Sequence, residues 1–463
     1  MNQIQLNKLE FFREVLNDAI NEGKINNWTS QIIKNKKSNI YLEKDFKIES
    51  ILNSNSEDVV IDIYKDFKEE IGENSFTVSL SEEKEDFEEE LNDAIFICST
   101  SKSKKYDLPK KEDKIIDDSN IDYSIYHNEK FFEDFDNGNL NIFFAQKIKI
   151  FKKLLEEKEN VSINLVSNSI EVLTSVKEIK FESNDGIIKE FKKNSSYLEL
   201  IITVKNKETK KDTEHVVYQN INDIYSFDFE KFFDEKITEA IDTSKSKAPD
   251  NFKGVVILKN HSTKDFFLPD PPSNPLMVNC FARLKHLGTS TFEIGKEIVE
   301  SKYDKLSISS NPFVQNDPKA IPFDGNGISA RRIDMIKENV FTEFVADKKF
   351  GDYISANPSG PFGVIEVGVG KKSMEELYQE SQIIEIINFA WFSPDQNSGE
   401  FSAEIRLGYF INDGVRIPFK GGLFTGNVFE VIKEIELSKE KYQEVGYLGP
   451  KYIKFHKGEI VGF

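Results

Sequence analysis

Two histidines and a cysteine are the residues of this sequence best suited to bind a metal ion. His261, Cys280 and His286 lie in one stretch of the chain, and imidazole and thiolate are ligands that zinc prefers. None of the five histidines lies four or five residues from another, so no helix would present a chelating pair on one face. A surface histidine and a core cysteine are the commoner outcome. We therefore predict no metal and no cofactor.

Other patterns for catalysis are incomplete. A serine nucleophile of the Gly-x-Ser-x-Gly type is missing, and neither cysteine has a base beside it in the sequence. The glycines between Gly360 and Gly370 precede Lys371, as in a loop that binds phosphate. They lack the Gly-Lys-Ser/Thr order that such a loop requires. We predict no catalytic residue.

A glycine turn followed by two arginines organises the second half of the chain. Gly325 and Gly327 allow a positive φ and a close backbone approach. Arg331 and Arg332 follow, and a guanidinium group suits bidentate pairing with a carboxylate. Asp324 lies before the same turn and is the candidate partner. We predict that it pairs with these arginines, which would be structural or at an interface.

Short polar sequences between alternating apolar runs predict hairpins. The turns are expected at residues 183–186, 338–339 and 412–414, where Asn, Asp and Gly are concentrated. Residues 402–419 alternate well and carry few charges, and an apolar edge strand aggregates unless it is covered or paired. We therefore predict a stable dimer, with an apolar interface above about 2,000 Å².

The composition excludes several classes of protein. A net charge of −19 opposes binding to nucleic acid. No run of 18 apolar residues predicts a membrane span, and the first residues lack the pattern of a secretory signal. Two cysteines in 463 residues fit a reducing compartment. We expect a cytoplasmic protein with no nucleic-acid or membrane partner.

The hydrophobic period changes several times along the chain and predicts an α+β fold. Helices are expected at residues 6–21, from the cap-like Ser81, within 129–158 and at 228–243, with strands between them. The sheets should be mixed or antiparallel. The predicted parts are an N-terminal α/β subdomain (1–98), a linker (99–125), a central β-meander subdomain (126–226) and a β-rich C-terminal domain (227–463).

Several segments resemble, in order, the TldD/PmbA family, the "modulator of gyrase" peptidases. They include Phe323-Asp324, residues 329–332 and the hairpin that ends at Asp347, where the family's glycine is replaced by Asn339. Residues 287–292, 398–401 and 425–427 also match, the last before a predicted helix at 428–437. The resemblance implies family-motif or peptide-site roles for Asp324, Gly325, Gly327, Arg331, Arg332, Gly399, Gly426 and Asn427.

The zinc motif that the resemblance implies is missing. Active members of the family carry His-Glu-x-x-x-His on a helix, with a later cysteine as the third ligand. Residues 258–290, where the motif would fall, contain no His-Glu pair. The cysteine would align near Leu448. Prolines between residues 269 and 275 also oppose a helix there.

The resemblance therefore implies a PmbA- or TldE-like member without zinc, inactive alone. It would pair with a TldD-like zinc peptidase subunit, or with itself as a dimer, and hold an extended peptide substrate by β-augmentation. One alternative is a stand-alone peptide-binding or scaffold protein. Another is a hydrolase with a site rebuilt around His261, Cys280 and His286.

Overall fold

Seven strands of the N-terminal half form one antiparallel sheet. The structure is a computed structural model, and it describes residues 3–43, 46–80, 84–208, 210–270 and 272–462. The strands are β1 (Asn27–Leu42), β2 (Ile48–Asp66), β3 (Glu70–Ser79), β4 (Lys102–Lys104), β5 (Ile163–Ser183), β6 (Ile188–Asn206) and β7 (Lys211–Ile221). Their order in the sheet is β4-β3-β2-β1-β5-β6-β7. The pairing of β1 with β5 makes the sheet continuous across residues 1–98 and 126–226.

Five helices bury the apolar positions of this sheet. They are α1 (Gln3–Asn21), α2 (Lys84–Thr100), α3 (Glu129–Asp136), α4 (Asn139–Lys158) and α5 (Phe229–Lys245). Along β6 every second side chain is buried, as expected of a strand with one covered face. The rings of Phe12 on α1 and Phe87 on α2 stack at 4.2 Å, and those of Phe151 and Phe233 join α4 to α5 at 5.0 Å.

Residues 99–125, predicted as a linker, are packed against the rest of the chain at several points. The short strand β4 pairs with β3. Further on, Ile116 is buried in a cluster that includes Phe181 of the sheet and Phe323 of the glycine turn. This segment therefore helps to join the N-terminal sheet to the C-terminal half.

The C-terminal half contains thirteen strands and six short helices among the described residues. The strands are β8 (Phe252–Lys259), β9 (Ile308–Asn311), β10 (Ile333–Lys337), β11 (Val340–Phe341), β12 (Val364–Val367), β13 (Gln382–Pro394), β14 (Glu400–Asn412), β15 (Val415–Phe419), β16 (Leu423–Asn427), β17 (Ile435–Leu437), β18 (Lys441–Glu444), β19 (Tyr447–Pro450) and β20 (Tyr452–Val461). The helices are α6 (His261–Phe267), α7 (Pro275–Val278), α8 (Ala282–His286), α9 (Lys348–Ile354), α10 (Met374–Leu377) and α11 (Val428–Val431).

One C-terminal sheet closes on itself. Its strands pair in the order β13-β8-β20-β16-β14, and β14 pairs back with β13 to complete a ring. A second sheet has the order β11-β10-β9-β12-β19-β18. The two sheets share one apolar core, which includes Phe266, Phe341, Phe424 and Tyr447. The mixed α+β fold with a β-rich C-terminal half confirms the predicted fold class.

The local turn predictions are confirmed. Glu338 and Asn339 both have positive φ between β10 and β11, as do Asp413 and Gly414 between β14 and β15. Gly186 likewise has positive φ between β5 and β6. The cap predicted at Ser81 lies outside the described residues, and α2 begins at Lys84.

Two predictions in the last part of the chain need correction. The helix expected at residues 428–437 ends at Val431, because residues 435–437 pair with β20 instead. The alternating segment 402–419 is not one exposed edge, because β14 pairs with β13 on one side and with β15 and β16 on the other. Within the described ranges, no helix is long and apolar enough to cross a membrane.

Candidate functional site

A cleft of about 560 Å³ lies between the N-terminal sheet and the C-terminal ring. One wall comes from β7 and the first turns of α5. The opposite wall comes from β13, β14 and β18, and the end of β8 with the start of α6 completes it. The register of β13 against β14 shifts around Asn388, so this strand is irregular where it meets the cleft. The volume is within the usual range for ligand sites.

His261 anchors a cluster of polar side chains at the rim of this cleft. It is the first residue of α6, directly after the turn that ends β8. Its Nδ1 lies 2.9 Å from the Glu444 carboxylate and its Nε2 lies 3.4 Å from that of Asp265. Lys264 Nζ donates to Glu444 at 2.9 Å, and the Tyr442 hydroxyl donates to the same carboxylate at 2.5 Å. Glu444 is therefore the centre of the cluster.

The charged groups of this cluster stabilise one another's ionised forms. Burial opposes a charged imidazole, but Glu444 and Asp265 outweigh it and raise the pKa of His261 to about 9. Burial likewise opposes ionisation of Glu444, yet His261 and Lys264 keep its pKa far below the usual range. Burial and the neighbouring Glu444 raise the pKa of Tyr442. At neutral pH the cluster is an ion pair with a neutral phenol.

The residues present do not fit the zinc that the family resemblance implies. A protonated imidazole has no lone pair for a metal, and both nitrogens of His261 face carboxylates. Counted from His261, the motif's Glu and second His fall on Ser262 and Phe266, both fully buried. No group of three His, Cys, Asp or Glu in the described part of the chain could hold a metal ion.

The alternative zinc site is not assembled either. Burial raises the pKa of the Cys280 thiol, which donates to the Leu276 carbonyl at 3.0 Å. The ring of His286 packs on Tyr353 at 4.8 Å. His261, Cys280 and His286 thus contact three different parts of the domain. The structure does not bring them together.

The predicted pairing of Asp324 with the arginines is wrong. Asp324 instead accepts the backbone N–H groups of Asn326 and Ile328 at 2.9 Å, and burial raises its pKa to about 6. Its role is to close the glycine turn.

Each arginine pairs with acids further along the chain. Arg331 forms a bidentate pair with Glu343, with Nη1 at 3.0 Å. Arg332 contacts Asp334 at 3.2 Å and also Glu366. These pairs tie the residues just before β10 to the segment after β11 and to β12, at partly exposed positions, and the two arginines do not line the cleft.

The glycines singled out by the resemblance lie away from the cleft, and all except Gly325 occupy tight positions. Gly327 has φ +74°, and a Cβ there would lie 2.6 Å from the ring of Phe181. Gly399 also has positive φ, and a Cβ on Gly426 would lie 3.0 Å from Phe401. Asn427 accepts the Phe429 N–H and donates to the Ser398 carbonyl. A Cβ on Gly325 would come within 3.4 Å only of Gln31. These contacts are structural.

Sequence reasoning missed most of the residues that line the cleft. Lys231, Lys259 and Lys451 come from three separate segments, and Glu444 lies far from His261 in sequence. No local motif marks them. The one available signal was the position of His261 and Lys259 at the end of a buried strand, where polar side chains are unexpected.

Comparisons with known proteins point to one family. A family model described as the PmbA/TldA metallopeptidase C-terminal domain matches residues 280–462. An uncharacterized protein of Methanocaldococcus jannaschii, MJ0231, is 26% identical over 153 residues, which are 30% of this chain and 35% of that protein. The matched part therefore spans about a third of that relative.

Solved structures share the fold over nearly the whole chain. A candidate modulator of a DNA gyrase from Thermotoga maritima has a TM-score of 0.76 and 15% identity, covering 98% of this chain and 100% of that one. TldE from Thermococcus kodakarensis has a TM-score of 0.74 and 16% identity, and the match covers 96% of this chain and 100% of that one. A candidate modulator of DNA gyrase from Bacteroides thetaiotaomicron has a TM-score of 0.77 and 14% identity, and the match covers 98% of this chain and 99% of that one. At these identities the likeness shows a common fold.

Proposed function

We propose that this chain, whose residues 280–462 match the C-terminal domain of the TldD/PmbA family, is a non-catalytic, PmbA- or TldE-like component of a peptidase complex. Its role is to hold an extended peptide for a zinc-bearing, TldD-like partner chain. The observation that carries the proposal is a cleft walled by an edge strand, in a domain whose residues do not fit zinc.

The edge of β18 supports peptide binding. Among the described residues its sheet neighbour is β19, while Lys441, Tyr442 and Gln443 face the cleft. Glu444 and Tyr447 flank a two-residue turn, so their backbone groups bond to each other. By alternation, the N–H and C=O of Gln443 point outward. An extended peptide would add there as the next strand.

The test uses substitutions that change this edge alone. Gln443→Pro removes the outward N–H while Pro remains compatible with an edge strand. Gln443→Ala keeps the N–H and is the matched control. Binding of a labelled, unfolded polypeptide, followed by fluorescence anisotropy, should be lost in the first variant and retained in the second. Equal binding by both would overturn peptide addition at β18.

The partner is tested separately by sedimentation. The chain alone and the chain mixed with a TldD-like zinc peptidase are compared at micromolar concentration. We expect a complex whose interface exceeds about 2,000 Å², as in obligate assemblies. A clean monomer in both samples would contradict the proposed complex and favour a stand-alone peptide-binding protein.

A further inference from the structure

We propose that the cleft contains a carboxylate-binding site formed by Lys231, Lys259 and Lys451, which holds an acidic group of the bound peptide. Lys231 is in the first turn of α5, Lys259 ends β8, and Lys451 precedes β20. All three line the cleft. The inference rests on the proposed function, because the ligand is the same extended peptide. It adds the chemistry by which that peptide is selected.

The cleft is basic although the chain is acidic. Seven Lys and Arg residues line it, against four Asp and Glu, whereas the whole chain carries −19. Within the described part of the chain, Lys231, Lys259 and Lys451 have no carboxylate at ion-pair distance. Clustered cations without partners cost free energy that a bound anion would offset.

The acidic residues of the cleft are mostly engaged elsewhere. Asp228 accepts the backbone N–H of Lys231, Asp234 pairs with a lysine of α4 at 2.7 Å, and Glu239 pairs with a lysine of its own helix at 2.8 Å. Glu235 remains in the cleft lining, and it acts on Lys451 together with Glu440, which lies outside that lining. The arrangement therefore retains excess positive charge.

The lowered pKa of Lys451 agrees with an excess of positive charge in the cleft. Burial lowers its pKa, and the like charges of Lys259 and Lys231 lower it further. Glu235 and Glu440 act in the opposite sense but do not cancel the effect. A carboxylate placed among the three lysines would remove their mutual repulsion.

Two asparagines beside the lysines provide a second, independent observation. Asn260 has φ 54° and ψ −114°, a conformation that costs energy outside glycine and is typical of functional sites. The side-chain oxygens of Asn260 and Asn388 are buried and have no hydrogen-bond partner among the described residues, and both residues line the cleft. They would accept N–H groups of a peptide whose carboxylate meets the lysines.

The experiment compares three N-terminally labelled peptides of one alanine-rich sequence. The first has a free C-terminal carboxylate, the second is amidated, and the third is amidated but contains an internal glutamate. We expect a carboxylate-bearing peptide to bind the wild-type chain about tenfold or more tighter than the amidated peptide, because it gains charge-assisted hydrogen bonds. Tighter binding of the first peptide identifies the ligand as a terminal carboxylate, and tighter binding of the third identifies it as a side-chain carboxylate.

The variant is K259Q/K451Q, and the matched control is K253Q, an exposed lysine outside the cleft. The double variant should lose the preference for carboxylate and still bind the amidated peptide, whereas K253Q should retain the preference. Equal binding of all three peptides by the wild-type chain would overturn the carboxylate site and leave peptide binding intact. Failure of all three peptides to bind would overturn both proposals.

Discussion

Replacing Asn339 by glycine, the residue that the family's hairpin carries at this position, should destabilise the C-terminal domain. Asn339 has φ 65° in the turn between β10 and β11, and its side chain is fully buried. Its Oδ1 accepts the Leu306 N–H at 2.7 Å. Its Nδ2 donates to the Val299 carbonyl at 3.1 Å and to the Ser301 hydroxyl at 2.6 Å. One carboxamide thus joins the hairpin to residues 299–306.

The expected cost follows from these contacts. Without the carboxamide of Asn339, the Leu306 N–H and the Val299 carbonyl lose buried partners, at about 1 to 2 kcal/mol each. Glycine recovers about 1 kcal/mol, because the left-handed conformation is unstrained for it. The net loss is about 2 kcal/mol. Asn339→Ala keeps the strain and should lose about 1 kcal/mol more.

Urea unfolding with fluorescence detection measures the loss, and amide exchange at Leu306 localises it. Asn316→Gly is the matched control: Asn316 also has positive φ, but its side chain forms no hydrogen bond with the described residues. That variant should be as stable as the wild type or slightly more stable. If Asn339→Gly were equally neutral, the three hydrogen bonds would not explain the asparagine.

Three further outcomes are expected. The pKa of His261 is raised, so the folded state binds more protons than the unfolded state between pH 6.5 and about 9. The free energy of unfolding, measured by urea titration, should therefore fall as pH rises through this window. In His261→Asn it should fall less steeply. Gly370→Ala would place a Cβ against the Leu437 carbonyl oxygen, and thermal unfolding should show a loss of stability of at least about 2 kcal/mol. Gly368→Ala should be near neutral, because a Cβ there would lie 3.4 Å from the Ser307 Cβ. Elemental analysis should find no stoichiometric zinc, and one zinc per chain, lost in His261→Ala, would contradict the ion-pair assignment.

Local chemistry was predictable from the sequence. The turns at residues 338–339 and 413–414 form as expected, because Asn, Asp and Gly tolerate positive φ without help from the rest of the fold. The helix predicted over 428–437 ends early, because residues 435–437 complete a sheet with β20. Tertiary pairing overrode a local period there.

Partners distant in sequence were not predictable. Arg331 and Arg332 were assigned to Asp324 before the turn. In the fold Arg331 pairs with Glu343, and Arg332 pairs with Glu366 as well as with the nearby Asp334. The cleft was missed for the same reason, since its lysines meet only after two sheets have formed. The zinc prediction was a different case, because it rests on residue types alone, and elemental analysis is its test.

The position of β20 has a consequence for the synthesis of the chain. β20 lies between β8 and β16 in the ring, and it pairs Phe455 with Val256. At about 5 to 20 residues per second, a ribosome needs on the order of ten seconds or more to deliver β20 after β8 has emerged. The N-terminal sheet is already complete by then, since β7 ends at Ile221. The apolar β8 stays without its β20 neighbour during this time, and we expect its open edge to favour chaperone binding to the nascent chain.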